Sequence, residues 1–311
     1  MAVVLGLALL GAGYESVMED ADGRAYPPPG QLVDVGGHRL HLHCAGTGGP
    51  TVVIEAGLGD WSASWSSWVQ PEVARTTRVC TYDRAGMGFS EAGPRPRTAA
   101  RFAEELHTLL LRAGVPGPYV LVGHSAGGLT VRVFAHDYAA DVAGVVLIES
   151  MHPEQARPSA PAAATPPPAG SPSWGDRVLT LPARLGVLRL LSGPLDLAGG
   201  MSPEVAGAYA ALSVTPRFVQ TMIDEGRGLP DGLAQAGAVA SVGAVPVIVL
   251  SRGRELDPTW QRLQDDLVHL STDGRHLTAG ASGHNVQLDQ PEAAIEAIVQ
   301  LVERIRRPPV P

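Results

Sequence analysis

The sequence predicts an α/β protein of three layers, a parallel sheet between two layers of helices. Three observations predict it. Short apolar runs rich in Val and Ile recur along the chain, helix-compatible stretches separate them, and the runs lack the alternation of a half-exposed strand. Strands buried on both faces read as continuous apolar runs, and strand–helix repetition with right-handed crossovers assembles them into a covered sheet.

Gln31–Val35 and His38–Cys44 flank Gly36-Gly37, a hairpin signal. Thr51–Glu55, Arg78–Tyr82, Tyr119–Val122, Gly144–Ile148 and Pro246–Leu250 follow as buried strands, and Arg275–Ala279 is the last. The stretches Thr98–Ala113, Gly128–Tyr138, Pro258–Leu270 and Pro291–Arg306 read as helices. Between Met151 and Ala244 the pattern breaks. Residues 153–173 carry Pro153, Pro158, Pro161, Pro166, Pro167, Pro168 and Pro172 among Ala and Ser, too much proline for regular structure. Trp174–Leu191 and Pro203–Gly226 are amphipathic and helix-compatible. The chain therefore divides into an apolar segment and linker (1–30), a first core part (31–150), a proline-rich hinge with a helical cap (151–244) and a second core part (245–311).

A net charge of −8 argues against a nucleic-acid surface, and Arg304, Arg306 and Arg307 read as a solvated helix end favoured by the helix dipole. Two cysteines, Cys44 and Cys80, exclude a disulfide-rich scaffold and a four-thiolate zinc site. Buried free thiols and a single bridge in an exported protein both fit them. Met1–Gly13 is apolar and uncharged but, at about 1.5 Å per helical residue, falls short of the roughly 30 Å hydrocarbon core, and it lacks a basic leader. Weak membrane association through residues 1–13, a fragment of an anchor and a core segment all remain open. The choice bears on location rather than chemistry.

Gly123-His124-Ser125-Ala126-Gly127 lies between a strand and a helix. That is the setting in which G-x-S-x-G forms a sharp turn lifting the Ser hydroxyl above the sheet edge. The following helix directs its positive end at the reaction centre. A serine hydroxyl needs an imidazole to take its proton. Of the 10 histidines, His284 in Ala281-Ser282-Gly283-His284-Asn285 has the right order and place, after the last strand and before the final helix.

Two further segments carry a family resemblance. Ile54-Glu55-Ala56-Gly57-Leu58-Gly59 resembles the oxyanion loop of α/β-hydrolases. Asp83-Arg84-Ala85-Gly86-Met87-Gly88-Phe89-Ser90 resembles the D-x-x-G-x-G-x-S segment after their fourth strand. With the Ser125 elbow and the Ser282-Gly283-His284 end, the resemblance covers the chain from about residue 31 onward except the cap. It implies an eight-stranded, mostly parallel sheet with the second strand antiparallel, and an oxyanion hole made by the backbone N–H groups of Leu58 and Ala126. Where many members have His-Gly in the oxyanion loop this chain has Ala56-Gly57, a departure that leaves backbone donors untouched. The family's strand order makes the second and fourth strands neighbours, which would bring Cys44 and Cys80 together.

The acid behind His284 has three candidates. The usual place is the loop after the seventh strand, which holds Glu255 and Asp257. Asp257 precedes Pro258 and a helical run, and an N-cap with Pro at the first helical position explains it fully. Glu149 ends the strand Gly144–Ile148 at the edge where Ser125 emerges, and a carboxylate there needs a partner to offset its desolvation. Some relatives, certain haloalkane dehalogenases among them, place their acid after this strand. Glu149 is preferred on these grounds. His152 reads as a cap-hinge residue. Trp61, Trp65 and Trp68 follow the oxyanion loop at near-helical spacing; packing is their default role, with Trp61 a candidate wall of the acyl pocket.

Dehalogenases and epoxide hydrolases of this fold use Asp at the elbow, where this chain has Ser125. No metal motif or phosphate loop competes, so no cofactor is expected. The expected activity is hydrolysis of a small or medium uncharged carboxylic ester through an acyl-enzyme. A lactonase and a cofactor-free haloperoxidase would use the same triad. So would a proline-iminopeptidase-like amidase, which would further need cap acids such as Glu204, Asp224 and Glu225 to hold an amine. A non-catalytic binding module on this fold would normally have lost Ser125 or His284.

Overall fold

A computed structural model describes residues 1–156 and 174–307; most of the expected proline-rich hinge, residues 157–173, lies outside them. Eight strands form one sheet: β1 (Gln31–Asp34), β2 (Arg39–Ala45), β3 (Thr51–Glu55), β4 (Val79–Tyr82), β5 (Tyr119–His124), β6 (Val142–Ile148), β7 (Val247–Arg252) and β8 (Gly274–Ala279). Their order is β1-β2-β4-β3-β5-β6-β7-β8. β2 runs antiparallel to both its neighbours, and every pair from β4 to β8 is parallel.

The chain opens with α1 (Ala2–Ala25); α2 (Ser62–Val73), α3 (Ala99–Arg112) and α4 (Gly127–Asp137) follow in the first core part. The inserted region holds α5 (Trp174–Leu179), α6 (Leu181–Arg184), α7 (Val187–Ser192), α8 (Pro203–Leu212) and α9 (Pro216–Ala238). The chain ends with α10 (Pro258–Leu267), α11 (Val286–Asp289) and α12 (Pro291–Arg306). On one sheet face, Trp65, Val69 and Val73 of α2 meet Ala294, Ile298 and Leu301 of α12 over Val52, Ile54, Val120 and Val146. On the other, Leu106 and Leu110 of α3 and Val133 and Phe134 of α4 cover Val53, Leu121, Val145 and Val249. Burying such side chains contributes about 1.5–3 kcal/mol each relative to exposure. The alternating sides of one strand thus feed two separate cores, which explains the unbroken apolar runs.

The inserted region departs from its sequence reading in three places. The helix-compatible stretch Trp174–Leu191 forms three short helices, interrupted around Pro182, which has no N–H to give, and at Gly186, whose φ of 68° is left-handed. The helix expected over Pro203–Gly226 breaks before Pro216, because a residue preceding proline is pushed out of helical conformation. It resumes as α9 and continues to Ala238, where Leu233 and Ala236 join the main core. The far end of α9 is therefore packed as part of the core.

The apolar start is the first half of α1, with Val3, Leu5, Leu7, Leu9 and Leu10 exposed. Its acidic continuation stays helical because Glu15 and Asp22 pair with Arg189 of α7. Among the described residues no helix is long and apolar enough to cross a membrane. Cys44 and Cys80 stand opposite each other in the β2–β4 register and are joined by a disulfide. The strand order, rather than the reading as free thiols, governs this pair.

Candidate active site

Ser125 sits between β5 and α4 with φ of 51°, the strained turn that lifts a side chain off a strand end. The turn is closed by its neighbours: the Ser125 N–H donates to Ile148 O, and its carbonyl accepts from Gly128 and Met151 N–H. Only glycine fits beside it. A Cβ on Gly123 would lie 2.8 Å from Gly128 Cα, and one on Gly127 would lie 2.5 Å from Ala56 O.

His284 Nε2 is 3.1 Å from Ser125 Oγ, and its Nδ1 is 3.3 Å from Glu149 Oε2. The Glu149 contact places the ring proton on Nδ1 and leaves the Nε2 lone pair facing the serine. Glu149 follows β6 with φ of 45° and is fully buried. Its Oε1 accepts from the Arg252 N–H at 2.8 Å and from the Trp260 indole N–H at 3.1 Å, and the Arg252 guanidinium lies 3.5 Å from Oε2. Burial alone would raise the Glu149 carboxyl. The hydrogen bonds from His284, Arg252 and Trp260, with the Arg252 charge, outweigh it and hold the group below its ordinary range.

The other two carboxylates make no hydrogen bond to His284, although Glu255 reaches the neighbouring Gly283. Asp257 accepts from Trp260 N–H at 2.8 Å as the N-cap of α10, and Glu255 is exposed. The capping role drawn from Asp257-Pro258 is the one it plays, and the carboxylate hydrogen-bonded to His284 is Glu149.

The loop Ala56–Gly59, expected to supply the oxyanion donors, lies directly against Ser125, since a Cβ on Gly57 would fall 3.2 Å from Ser125 Cβ and 3.0 Å from His124 Nδ1. Among the described residues no acceptor takes the backbone N–H of Leu58 or of Ala126. Both residues line a narrow cavity whose apolar wall is Phe102, Leu129 and Leu229. Trp61 is not part of that wall. It is buried against the insert, stacked on Tyr209 with its indole N–H 3.0 Å from Ser213 Oγ, and it joins α8 to the core. Trp65 belongs to the sheet core and Trp68 donates to Gly200 O. His152, at the start of the insert, pairs with Asp266.

Several residues here hold contacts that the sequence did not announce, some of them inside motifs it did. Trp260 and Arg252 serve Glu149 from α10 and the end of β7. His124, inside the elbow motif, places Nε2 3.0 Å from His284 O and ties the histidine loop to the nucleophile strand. Burial and the neighbouring His284 push its pKa down to about 4, so it stays neutral and donates. Arg84 and Glu225 surround the back of the oxyanion loop. Asp83 organises the adjacent turn by accepting from Ser62 N–H, Phe89 N–H and His41.

Family comparison agrees with the fold. The profile of the alpha/beta hydrolase fold matches residues 50–217, more than half of the chain. The protein belongs to the α/β-hydrolase family. Among curated relatives, the chain is 37% identical over 127 residues to a probable transporter, efuK, of Hormonema carpetanum, covering 38% of this chain and 18% of that protein. It is 24% identical over 261 residues to the uncharacterized YqjL of Bacillus subtilis, covering 82% of this chain and 85% of that one. The chain thus spans less than a fifth of the first relative and most of the second.

Among solved structures, the epoxide hydrolase CorEH has a TM-score of 0.66 at 20% identity, covering 89% of this chain and 99% of that one. An esterase from Thermogutta terrifontis scores 0.63 at 21% identity over 89% and 99%. The enol-lactonase of Burkholderia xenovorans LB400 scores 0.63 at 20% over 87% and 99%. At these identities the likeness is one of fold.

Proposed function

We propose that this α/β-hydrolase is a serine hydrolase that cleaves carboxylic esters through an acyl-enzyme. The observation that carries the reading is the hydrogen-bonded line from Ser125 through His284 to the buried Glu149, with unspent Leu58 and Ala126 N–H groups beside the serine. Ser125 Oγ attacks the ester carbonyl as His284 Nε2 takes its proton, and Glu149 stabilises the imidazolium. The two N–H groups receive the oxyanion. His284 then returns the proton to the departing alkoxide, and water, activated by the same imidazole, releases the acid and frees Ser125.

We take the substrate to be uncharged and of small or medium size. The cavity beside the N–H donors is apolar on one side, and its charged floor of Glu55, Arg84 and Glu225 is already paired internally. The same pairing weighs against an aminopeptidase-like amidase, because Glu225 is held by Arg84, Asp224 by Arg95, and Glu204 is remote in α8. Fluorophosphonate labelling followed by a panel of esters and lactones of graded acyl length tests the proposal. Labelling lost in Ser125→Ala, with turnover of short acyl esters by the native chain, is the expected result. No Ser125-dependent adduct would return the protein to a binding role. Turnover of lactones alone would move it to that class.

A further inference from the structure

Behind the oxyanion loop lies a buried ion cluster that the triad chemistry does not use. Arg84, the second residue of the D-x-x-G-x-G-x-S segment after β4, is almost fully enclosed. Its Nη1 donates to Ala56 O at 2.7 Å and to Glu55 at 2.8 Å. Its Nη2 donates to Gly57 O at 2.6 Å. The remaining edge of the guanidinium is taken by Glu225 of α9, with Nε 2.7 Å from Oε1 and Nη2 2.9 Å from Oε2. Glu225 Oε2 also accepts the Gly59 N–H at 3.3 Å. Glu225 is buried and belongs to the inserted region; Glu55, further fixed by the Tyr82 hydroxyl, belongs to β3.

The geometry points to Glu225 and Arg84 as positioning residues of the oxyanion hole, so that the cap helix α9 sets the donor geometry of the core. This rests on the ester-hydrolase reading above. The argument is one of peptide planarity. In a trans peptide the C=O of one residue and the N–H of the next point in opposite directions. The Gly57 carbonyl that Arg84 grips belongs to the same peptide plane as the Leu58 N–H. Holding the one toward Arg84 therefore aims the other away from it, and a rotation of that plane would remove the donor. Arg84 seizes the carbonyl before that plane and Glu225 the N–H after it, at Ala56 and Gly59, so three consecutive positions of the loop are fixed from behind.

A buried guanidinium needs charge compensation to remain in place. Two carboxylates supply it, one from the core and one from α9. Removing the α9 carboxylate leaves Arg84 free to turn toward Glu55 and to release the Gly57 carbonyl, which then keeps only the weaker local bond from the Asp60 N–H at 3.1 Å. The effect should therefore fall on the transition state, where the Leu58 N–H works, and spare ground-state binding.

Glu225→Gln is expected to lower kcat about 10- to 100-fold with KM within about threefold, less than the 10²–10³ typical of deleting a donor outright. Arg84→Lys keeps the charge but loses the fork. It should do the same, and the double variant should be no worse than the poorer single, because the two act as one unit. A loss carried by KM alone, or additive losses, would overturn the proposal. A second readout needs neither turnover nor the Gln variant to fold as well as the native chain. In ¹⁵N–¹H spectra Glu225→Gln, or Glu225→Asp in its place, should shift the Leu58 amide and leave the Ala126 amide unmoved. An unmoved Leu58 amide would also overturn it. Absence of ester turnover in the native protein, with the Leu58 shift present, would count against the ester reading and not against the clamp.

Discussion

Glu149 and Asp257 stand after neighbouring parallel strands, β6 and β7, yet only one of them reaches His284. What separates them is the nearest donor. Asp257 has one three residues ahead, the Trp260 N–H at the open end of α10, and a helix start exposes such donors to whatever side chain precedes it. Glu149 has none in its own turn. It leaves β6 in a left-handed conformation and is buried, so every donor it uses comes from elsewhere in the chain: Arg252, Trp260 and His284. A carboxylate satisfied locally stays structural; one that burial deprives of local donors is available to hold an imidazole.

The largest expected effect breaks this comparison if it falls on the wrong residue. Glu149→Gln should lower kcat by about 10³–10⁴, the scale seen when a triad acid can no longer hold the histidine tautomer. Asp257→Asn should stay within about twofold of the native rate, since its carbonyl still caps α10. Steady-state kinetics on one short-chain ester decide it, and a collapse in the Asp257 variant would return the acid to the loop after β7.

Trp260 links the two carboxylates, its backbone N–H to Asp257 and its indole N–H to Glu149. Trp260→Phe keeps the first contact and deletes the second. A hydrogen bond to a charged group is worth roughly 1.5–3 kcal/mol, part of which relaxes, so kcat should fall on the order of tenfold. An unchanged rate would mean that Arg252 and His284 suffice to orient Glu149.

The same contrast explains what could be read from the sequence. The strands were legible because burial on both faces writes unbroken Val and Ile runs, as in Val120–Val122 and Val145–Ile148. Ser125 was legible because strand, glycine turn and helix lie consecutively. Asp257 as a cap was legible for the same reason, being a matter of adjacent residues. Trp260 on Glu149, and Arg84 between Gly57 and Glu225, join residues more than a hundred positions apart. Their pairing depends on how α9 and α10 lie against the sheet, which no local pattern encodes. Trp61 shows the reverse error. Its closeness in sequence to Leu58 suggested the pocket, but the turn into α2 carries its ring to the α8 side.

A smaller effect concerns Asp257 alone. Asp257→Ala removes the α10 cap and should cost about 1 kcal/mol, or about 2 °C in Tm for a domain of this size. Thermal unfolding measures it, and kcat below the melting range should change far less than in Trp260→Phe. A loss of activity matching that of Trp260→Phe would show that capping, not the indole contact, is what orients the tryptophan.

The smallest effect is in the pH dependence of stability, and it belongs to Glu149. Its folded-state carboxyl lies below the ordinary range because the donors around it outweigh its burial. The unfolded chain, with a value near about 4.3, therefore binds the proton more readily than the folded one. The stabilisation is then complete above that unfolded value and is lost as pH falls through the lower folded one. Glu149→Gln has no such ionisation. Urea unfolding at a series of pH values should show a constant stability difference between the native chain and this variant above about pH 5, narrowing below about pH 4.3 in the variant's favour. A difference that holds constant to more acid pH would mean that the folded and unfolded carboxyls titrate alike, and one that moves in the native chain's favour as pH falls would mean that Glu149 keeps its proton in the folded protein. The carboxylate beside His284 would then be no more specialised than the one that caps α10.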